Sequence, residues 1–199
     1  MKKGIIGAGG FGREVYSSLS TRDRAECKFF VDDEYYKTGS DNILPLSKFN
    51  VTEYEIVVAV GDPLSRQKIV NSLPTNTKYF THIHPTVIIL SNDIQIGEGS
   101  VICAGSIITT NVVIGKHAHL NLQTTIGHDC EIGDYFTTAP GAKISGNCEI
   151  GDRVYFGTNS SVRQKITITN DVTIGLNAGV VKNISESGTY VGTPAKKIS

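Results

Sequence analysis

The chain has 199 residues, 19 basic and 19 acidic, so its formal charge is zero and no strong field draws it to nucleic acid or an anionic membrane. No apolar run is long enough to span a bilayer, and Met1-Lys2-Lys3 leads straight into a strand rather than a secretory leader, which predicts a cytoplasmic protein. The four cysteines (Cys27, Cys103, Cys130, Cys148) lack metal-ligand spacing, so neither zinc nor disulfide chemistry is expected.

Lys3-Gly4-Ile5-Ile6 reads as a first strand, followed by Gly7-Ala8-Gly9-Gly10-Phe11-Gly12 and a helix beginning near Arg13. Phe29-Phe30-Val31 is a second strand, ending in Asp32-Asp33. Tyr54 to Val60 is a third, after which Gly61-Asp62-Pro63 opens a helix to about Leu73. Tyr79 to Ile83 is a last short strand before His84-Pro85. This order predicts an abbreviated, Rossmann-like α/β domain over residues 1–84.

Gly7, Gly9 and Gly12 match the G-x-G-x-x-G phosphate fingerprint between strand and helix, with Gly10 and Phe11 inside the same loop. Such glycines let the backbone approach a pyrophosphate, and the helix N-terminus supplies N–H donors. Asp32 lies where a ribose-binding acid is expected, with Asp33 beside it. Arg66, in the helix after Gly61-Asp62, would contact phosphate or cap its own helix. The alternative is that the glycines merely form a tight turn. Roughly 80 residues hold only half of a dinucleotide fold, which favours one nucleotide or a nucleotide-linked sugar over NAD.

From Leu90 to Val180 every sixth residue is aliphatic or aromatic, through Ile96, Ile102, Ile108, Ile114, Leu120, Ile126 and Ile132 to Ile174; only Thr138 breaks the run. The position four further on is small or apolar, as at Ser100, Ala118, Thr124, Cys130, Ala142 and Cys148. A helix drifts out of phase with a period of six, and a lone strand alternates with a period of two. Short faces separated by corners and stacked into a parallel β-solenoid keep that phase. Cys130 and Cys148 should stack inside it as small reduced hydrophobes.

This pattern resembles the hexapeptide-repeat acyltransferases, whose left-handed parallel β-helix spends three hexapeptides on each triangular coil. One coil is then eighteen residues, the spacing of the Ile-Gly pairs at 96, 114, 132 and 150. With the G-A-G-G-F-G-R-E loop in front, the whole chain resembles bacterial sugar acetyltransferases of surface-glycan (O-antigen) synthesis. Those include sialic-acid O-acetyltransferases and the N-acetyltransferases for bacillosamine, perosamine and viosamine precursors. The resemblance implies a nucleotide-sugar-binding domain over residues 1–84, an acetyltransferase β-helix over 85–199, and a homotrimer binding acetyl-CoA between subunits. It implies N-acetylation of a nucleotide-linked 4-amino-4,6-dideoxyhexose. Sugar O-acetylation, or a non-catalytic nucleotide-binding solenoid, are the alternatives.

Acetyl transfer needs a base, an oxyanion donor and a cradle for CoA. His128, at an outward corner two residues past Ile126, is the candidate base, and the family places its catalytic histidine in this stretch. Asp129 matches the acid that orients it. Gly146, eighteen residues on, would offer a bare N–H to the oxyanion, or be a glycine required by its own backbone angle. Asn121 matches a family asparagine near the site, and turn geometry alone would equally place one there. His84 would line the sugar pocket or pack between domains, while His82 reads as structural. His117 and His119 are expected at exposed edges. The terminal Gly192-Thr193-Pro194-Ala195-Lys196-Lys197 resembles that of hexapeptide acyltransferases, which implies CoA-phosphate contacts at Lys196 and Lys197, although terminal lysines are more often simply solvated; Gly157 and Gly175, eighteen apart, would form a flat wall along which pantetheine lies. Some bacillosamine-type relatives carry a second histidine where this chain has Thr137, and Asp134 to Ala142 looks closer to perosamine- and viosamine-type enzymes.

Overall fold

The computed structural model describes residues 1–37 and 42–199. Its first unit is a five-stranded sheet of order β3-β2-β1-β4-β5, parallel throughout. The strands are β1 (Lys2–Ile6), β2 (Lys28–Val31), β3 (Ile43–Pro45), β4 (Tyr54–Val58) and β5 (Lys78–Tyr79). Between them run α1 (Gly10–Ser18), α2 (Thr21–Glu26) and α3 (Pro63–Ser72). The run Glu55-Ile56-Val57-Val58 is nearly all apolar because β4 is covered on both faces, as parallel strands are. Ile56 and Val58 face Phe30 and Tyr54, while Val57 faces Ile5, Val15 and Phe29. The second of these cores continues into the solenoid through Val101 and Cys103.

Three elements differ from expectation. β3 and α2 carry no strong apolar period, and the sequence did not announce them. The strand expected over Tyr79 to Ile83 is two strands in two sheets. Lys78–Tyr79 pairs with β4, whereas His82–Ile83 pairs with Val101–Ile102 as the first rung of the solenoid.

The solenoid is a left-handed parallel β-helix with three walls. The first wall stacks strands from His82–Ile83 up to Gly188–Val191 and is closed by the antiparallel Lys196–Lys197. The second runs from Ile88–Ile89 to Gly179–Val180, and the third from Gln95–Ile96 to Thr167–Ile168. Pairing such as Ile114↔Ile132 and Ile126↔Ile144 fixes the eighteen-residue ruler. Every aliphatic of the run between Ile102 and Val180 is buried, and the small residues Ser100, Ala118, Thr124, Cys130, Ala142, Cys148 and Ala178 sit at the inside corners with no exposure.

The phase slips once. Ile89, not Leu90, pairs with Ile108, and Leu90 is 61 % exposed. The first coil holds one extra residue between Ile89 and Ile96, so the inward series begins at Ile96. Thr138, the polar exception, is buried with its hydroxyl accepting from Asn121 N–H (2.9 Å) and facing Thr124 Oγ1 (2.7 Å). Each polar group there has a partner, which removes the penalty for burying it.

Corners turn by a left-handed residue three past each inward aliphatic. Asn111 (φ 49°), Asp129 (57°) and Asn147 (56°) form one such column. Asn and Asp tolerate this conformation better than other side chains, which accounts for their residue types.

Candidate active site

The second and third walls meet at the corner carrying His128. The ring is held sideways: His128 Nδ1 lies 2.6 Å from Asp129 Oδ2, and the other carboxylate oxygen, Oδ1, accepts 2.7 Å from the Asn111 side-chain amide one coil below. The Asn111 amide and then His128 keep the Asp129 carboxyl below its ordinary range. A carboxylate at Nδ1 holds the proton there and leaves Nε2 as the basic nitrogen. The side chains of His128 and Asp129 are about half exposed.

Nε2 faces Gly146, one coil above. A Cβ on Gly146 would stand 2.6 Å from Nε2 and 2.7 Å from Cε1. Gly146 is not among the residues of positive φ, so glycine is required here by the imidazole laid over it and not by its backbone angle. Beneath the corner, Cys148 Sγ donates to Gly146 O and Cys130 Sγ to His128 O, as second bonds to carbonyls that already accept the Lys165 and Asn147 backbone N–H groups. Among the described residues no acceptor takes the Gly146 N–H. At the next corner the equivalent N–H of Lys116 is taken by Asp134 Oδ1 (2.7 Å) and that of Asp134 by Asp152 Oδ1 (2.8 Å).

Residues 4–73 match the model of the PglD N-terminal domain. The GDP-perosamine N-acetyltransferase of Escherichia coli O157:H7 is 34% identical over 154 residues, 72% of this chain and 69% of that protein. The acetyltransferase domain of PglB from Neisseria gonorrhoeae FA1090, in complex with acetyl coenzyme A, superposes with a TM-score of 0.85 at 28% identity, covering 99% of this chain and 98% of that one. PerB from Caulobacter crescentus, in complex with CoA and GDP-perosamine, gives 0.85 at 27% identity over 98% and 96%.

The chain belongs to the hexapeptide-repeat sugar acetyltransferases. In this member the nucleotide-type loop has separable parts. Gly7 has φ 103°, and a side chain on Gly12 would collide with the Gly7 carbonyl, so both are needed for the turn itself. Gly9, Gly10 and Gly61 face open space, where a ligand's approach is unobstructed. The first turn of α1 has no side-chain cap and no acidic residue, which leaves its N–H donors for an anion. Phe11 leaves the loop and packs its ring 4.9 Å from that of His119, so it fastens the loop to the solenoid instead of facing a nucleotide. Asp32 accepts from Glu34 N–H and Asp33 from Ser47 N–H; both are exposed, and the Ser47 bonds hold Asp33 below the usual carboxylate range.

A cavity of about 590 Å³ lies between α1 and the solenoid, lined by Gly10, Arg13, Ser17, His84, Cys103 and Leu122 among others. His84 Nδ1 accepts from Thr86 N–H (3.2 Å), which leaves Nε2–H as its donor edge. Arg13 gives one nitrogen to Ala8 O and remains exposed beside the glycine loop. The sequence reading passed over Arg13 although it directly follows the fingerprint. His82 is structural as expected, with Nε2 2.8 Å from Ser18 Oγ.

Three expectations are corrected. Arg66 neither caps α3 nor reaches solvent. Asp62 caps that helix, and Arg66 is fully buried, bonded to the carbonyls of Val60, Gly61, His117, Tyr135 and Phe136, to Thr137 Oγ1 and to His119 Nδ1. Burial pulls its pKa down to about 9. It rivets the α/β unit to the first wall, and no edge is left for phosphate.

His117 and His119 are buried, not exposed edges, because the α/β unit covers this wall. His117 stacks on Tyr135 (5.2 Å) with Tyr79 edge-on (4.6 Å). Desolvation lowers the pKa of His117 to about 4 and that of His119 well below the ordinary value. Thr137, likewise buried, gives its hydroxyl to Gly61 O.

Gly157 is buried against the next coil, where a side chain would stand 2.7 Å from Leu176 N, and Gly175 is closed by Val191. Coil stacking explains both glycines, and neither forms an open wall. Together with His84 and Asn121 they occupy the corner between the first and second walls, a different edge from that of His128. Asn121 Oδ1 accepts from Leu122 N–H (2.7 Å), the turn role. One chain therefore does not bring the two sets together. Lys197 pairs with Glu186 (3.1 Å), while Lys196 is exposed.

Among the described residues no helix is long and apolar enough to cross a membrane, and no group of His, Cys, Asp and Glu has metal-site geometry.

Proposed function

We propose that the chain transfers an acetyl group from acetyl-CoA to the C4 amine of a nucleotide-linked 4-amino-4,6-dideoxyhexose. The observation that carries this reading is the His128 ring, fixed by Asp129 at Nδ1 and lying with Nε2 over a bare glycine. The E. coli and Caulobacter relatives, named for or bound to GDP-perosamine, make that sugar the first to try.

At neutral pH the sugar amine is an ammonium and gives one proton to solvent water before it attacks as the neutral amine. The amine nitrogen attacks the thioester carbon and forms the C–N bond while its proton passes to His128 Nε2. The Gly146 N–H, with no protein acceptor among the described residues, meets the oxyanion. The tetrahedral carbon then expels the CoA sulfur, which takes the proton from His128, and the amide and free thiol leave. Gly9, Gly10 and the first turn of α1 cradle the pyrophosphate, Arg13 adds charge, and Asp32 and Asp33 take the ribose or base. His84 holds the sugar end of the cavity. Lys196 is the exposed candidate for a CoA phosphate.

The α1 cavity and the His128 corner lie on different edges of one chain, which supports a homotrimer in which a neighbouring copy completes the site. We place this soluble reaction in the cytoplasm, where acetyl-CoA is made.

The test is thiol release from acetyl-CoA with GDP-, dTDP- and UDP-linked 4-amino-4,6-dideoxy sugars, with His128→Ala in parallel. Turnover with one sugar, reduced by ~10²–10⁴-fold in the variant, is the expected result. Turnover with free sialic acid alone would overturn N-acetylation, and silence throughout would leave a binding protein.

A further inference from the structure

Residues eighteen apart form a polar column at the catalytic corner: Asp93, Asn111, Asp129, Asn147 and Lys165. We infer that Asn111 is a positioning residue for the Asp129–His128 pair, an inference that rests on the activity proposed above. Its side-chain amide donates to Asp129 Oδ1 at 2.7 Å, while Asp129 Oδ2 meets His128 Nδ1 at 2.6 Å. The carboxylate thus spends one oxygen on each neighbour. With both ends tied it cannot rotate about its Cβ–Cγ bond, and the imidazole keeps its proton on Nδ1. Asn111 is itself pinned from below, where Asp93 Oδ1 accepts its backbone N–H (3.0 Å).

A left-handed corner alone would account for an asparagine at 111. It does not account for the bond. Asn147, Asn159 and Asn177 occupy left-handed corners too. Among the described residues, only Asn111 of these four directs its amide onto a carboxylate. The Asn147 amide comes no closer to His128 Nδ1 than 3.4 Å, too long to replace it. The Asn111 amide is also the foremost influence keeping the Asp129 carboxyl ionised.

Two substitutions separate positioning from turn formation. Asn111→Gly deletes the amide but adopts the same φ without strain. Asn111→Asp keeps the shape and a residue type that already takes this conformation at Asp129 and Asp171, yet puts a carboxylate against a carboxylate.

In the acetyl-transfer assay, Asn111→Gly should lower kcat by about 10-fold with KM for acetyl-CoA unchanged, and Asn111→Asp should lower it further. In an Asp129→Asn background, Asn111→Gly should cost nothing more, because the carboxylate it holds is gone. In nitrogen-15 spectra of the substrate-free protein, the His128 ring should change from one tautomer, Nδ1–H, to a mixture in Asn111→Gly.

Wild-type kcat in both single variants, an undiminished loss in the Asp129→Asn background, or an unchanged tautomer would each overturn the role of Asn111. An inactive wild type, or a fully active His128→Ala, would instead overturn the proposed activity; the ring spectra report on Asn111 without turnover.

Discussion

Replacing Arg66 with methionine removes the guanidinium while keeping much of the aliphatic stem. In the folded chain that group makes seven hydrogen bonds, all to acceptors at the seam between the α/β unit and the first wall. Bonds to a charged donor are worth ~1.5–3 kcal/mol each, a gross sum above ~10 kcal/mol. The desolvation of a buried cation offsets several kcal/mol of that, and losing one partner of such a network costs ~3–5 kcal/mol net. For a chain of this size 1 kcal/mol moves Tm by ~2–4 °C, so the midpoint should fall by ~6–20 °C. Scanning calorimetry at pH 7.5 measures it directly. Arg66→Lys should recover only part, because an ammonium offers three donors on one atom and cannot span carbonyls from both units. A methionine variant melting within ~2 °C of wild type would refute the rivet and leave the apolar seam as the whole joint.

Three further outcomes are expected. Gly146→Ala pushes its Cβ to 2.6 Å from His128 Nε2, so the half-exposed ring must swing away by roughly 0.8 Å. The chain should melt normally and lose up to ~10²-fold in turnover; full activity would remove Gly146 from the site. His117 and His119 are held neutral in the fold, with His117 near 4, whereas the unfolded chain protonates them below about 6.5. The unfolded state then binds more protons, so stability is full above pH 6.5 and falls by up to ~1.4 kcal/mol per pH unit per histidine as pH drops toward 4. Urea midpoints at pH 7 and 5 check the sign, and a flat profile would contradict it. Ile132→Asp would place a carboxylate at a position 4 % exposed inside a coil. It should cost several kcal/mol, comparable to a whole domain's stability, and a folded, active variant would break the register.

The solenoid was legible because its core repeats. A buried aliphatic every six residues needs no tertiary information, and the same ruler placed Gly146 over His128 before any coordinates. It would also have paired Asn111 with Asp129, eighteen residues apart, had the left-handed column been read beside the inward one. Leu90 misled because an apolar residue continues the phase on paper while the first coil carries one residue too many. Arg66, His117 and His119 were misread for a different reason. Polar side chains on the outside of a solenoid wall or on a surface helix look solvated unless another unit covers them, and what covers these is the docking of the α/β unit on the first wall, which leaves no period in the sequence. β3 is short and lies at the sheet edge, where few apolar residues are required.

Because residues eighteen apart stack in register, the height of this column is adjustable in whole coils. Removing the stretch from 151 to 168 would bring Ile150 beneath the coil that now follows Ile168, with matching inward faces and corners. Asn111, Asp129, His128 and Gly146 all lie below that cut. These residues span three adjacent storeys, and the building above them can gain or lose floors without moving the room where the proposed reaction takes place.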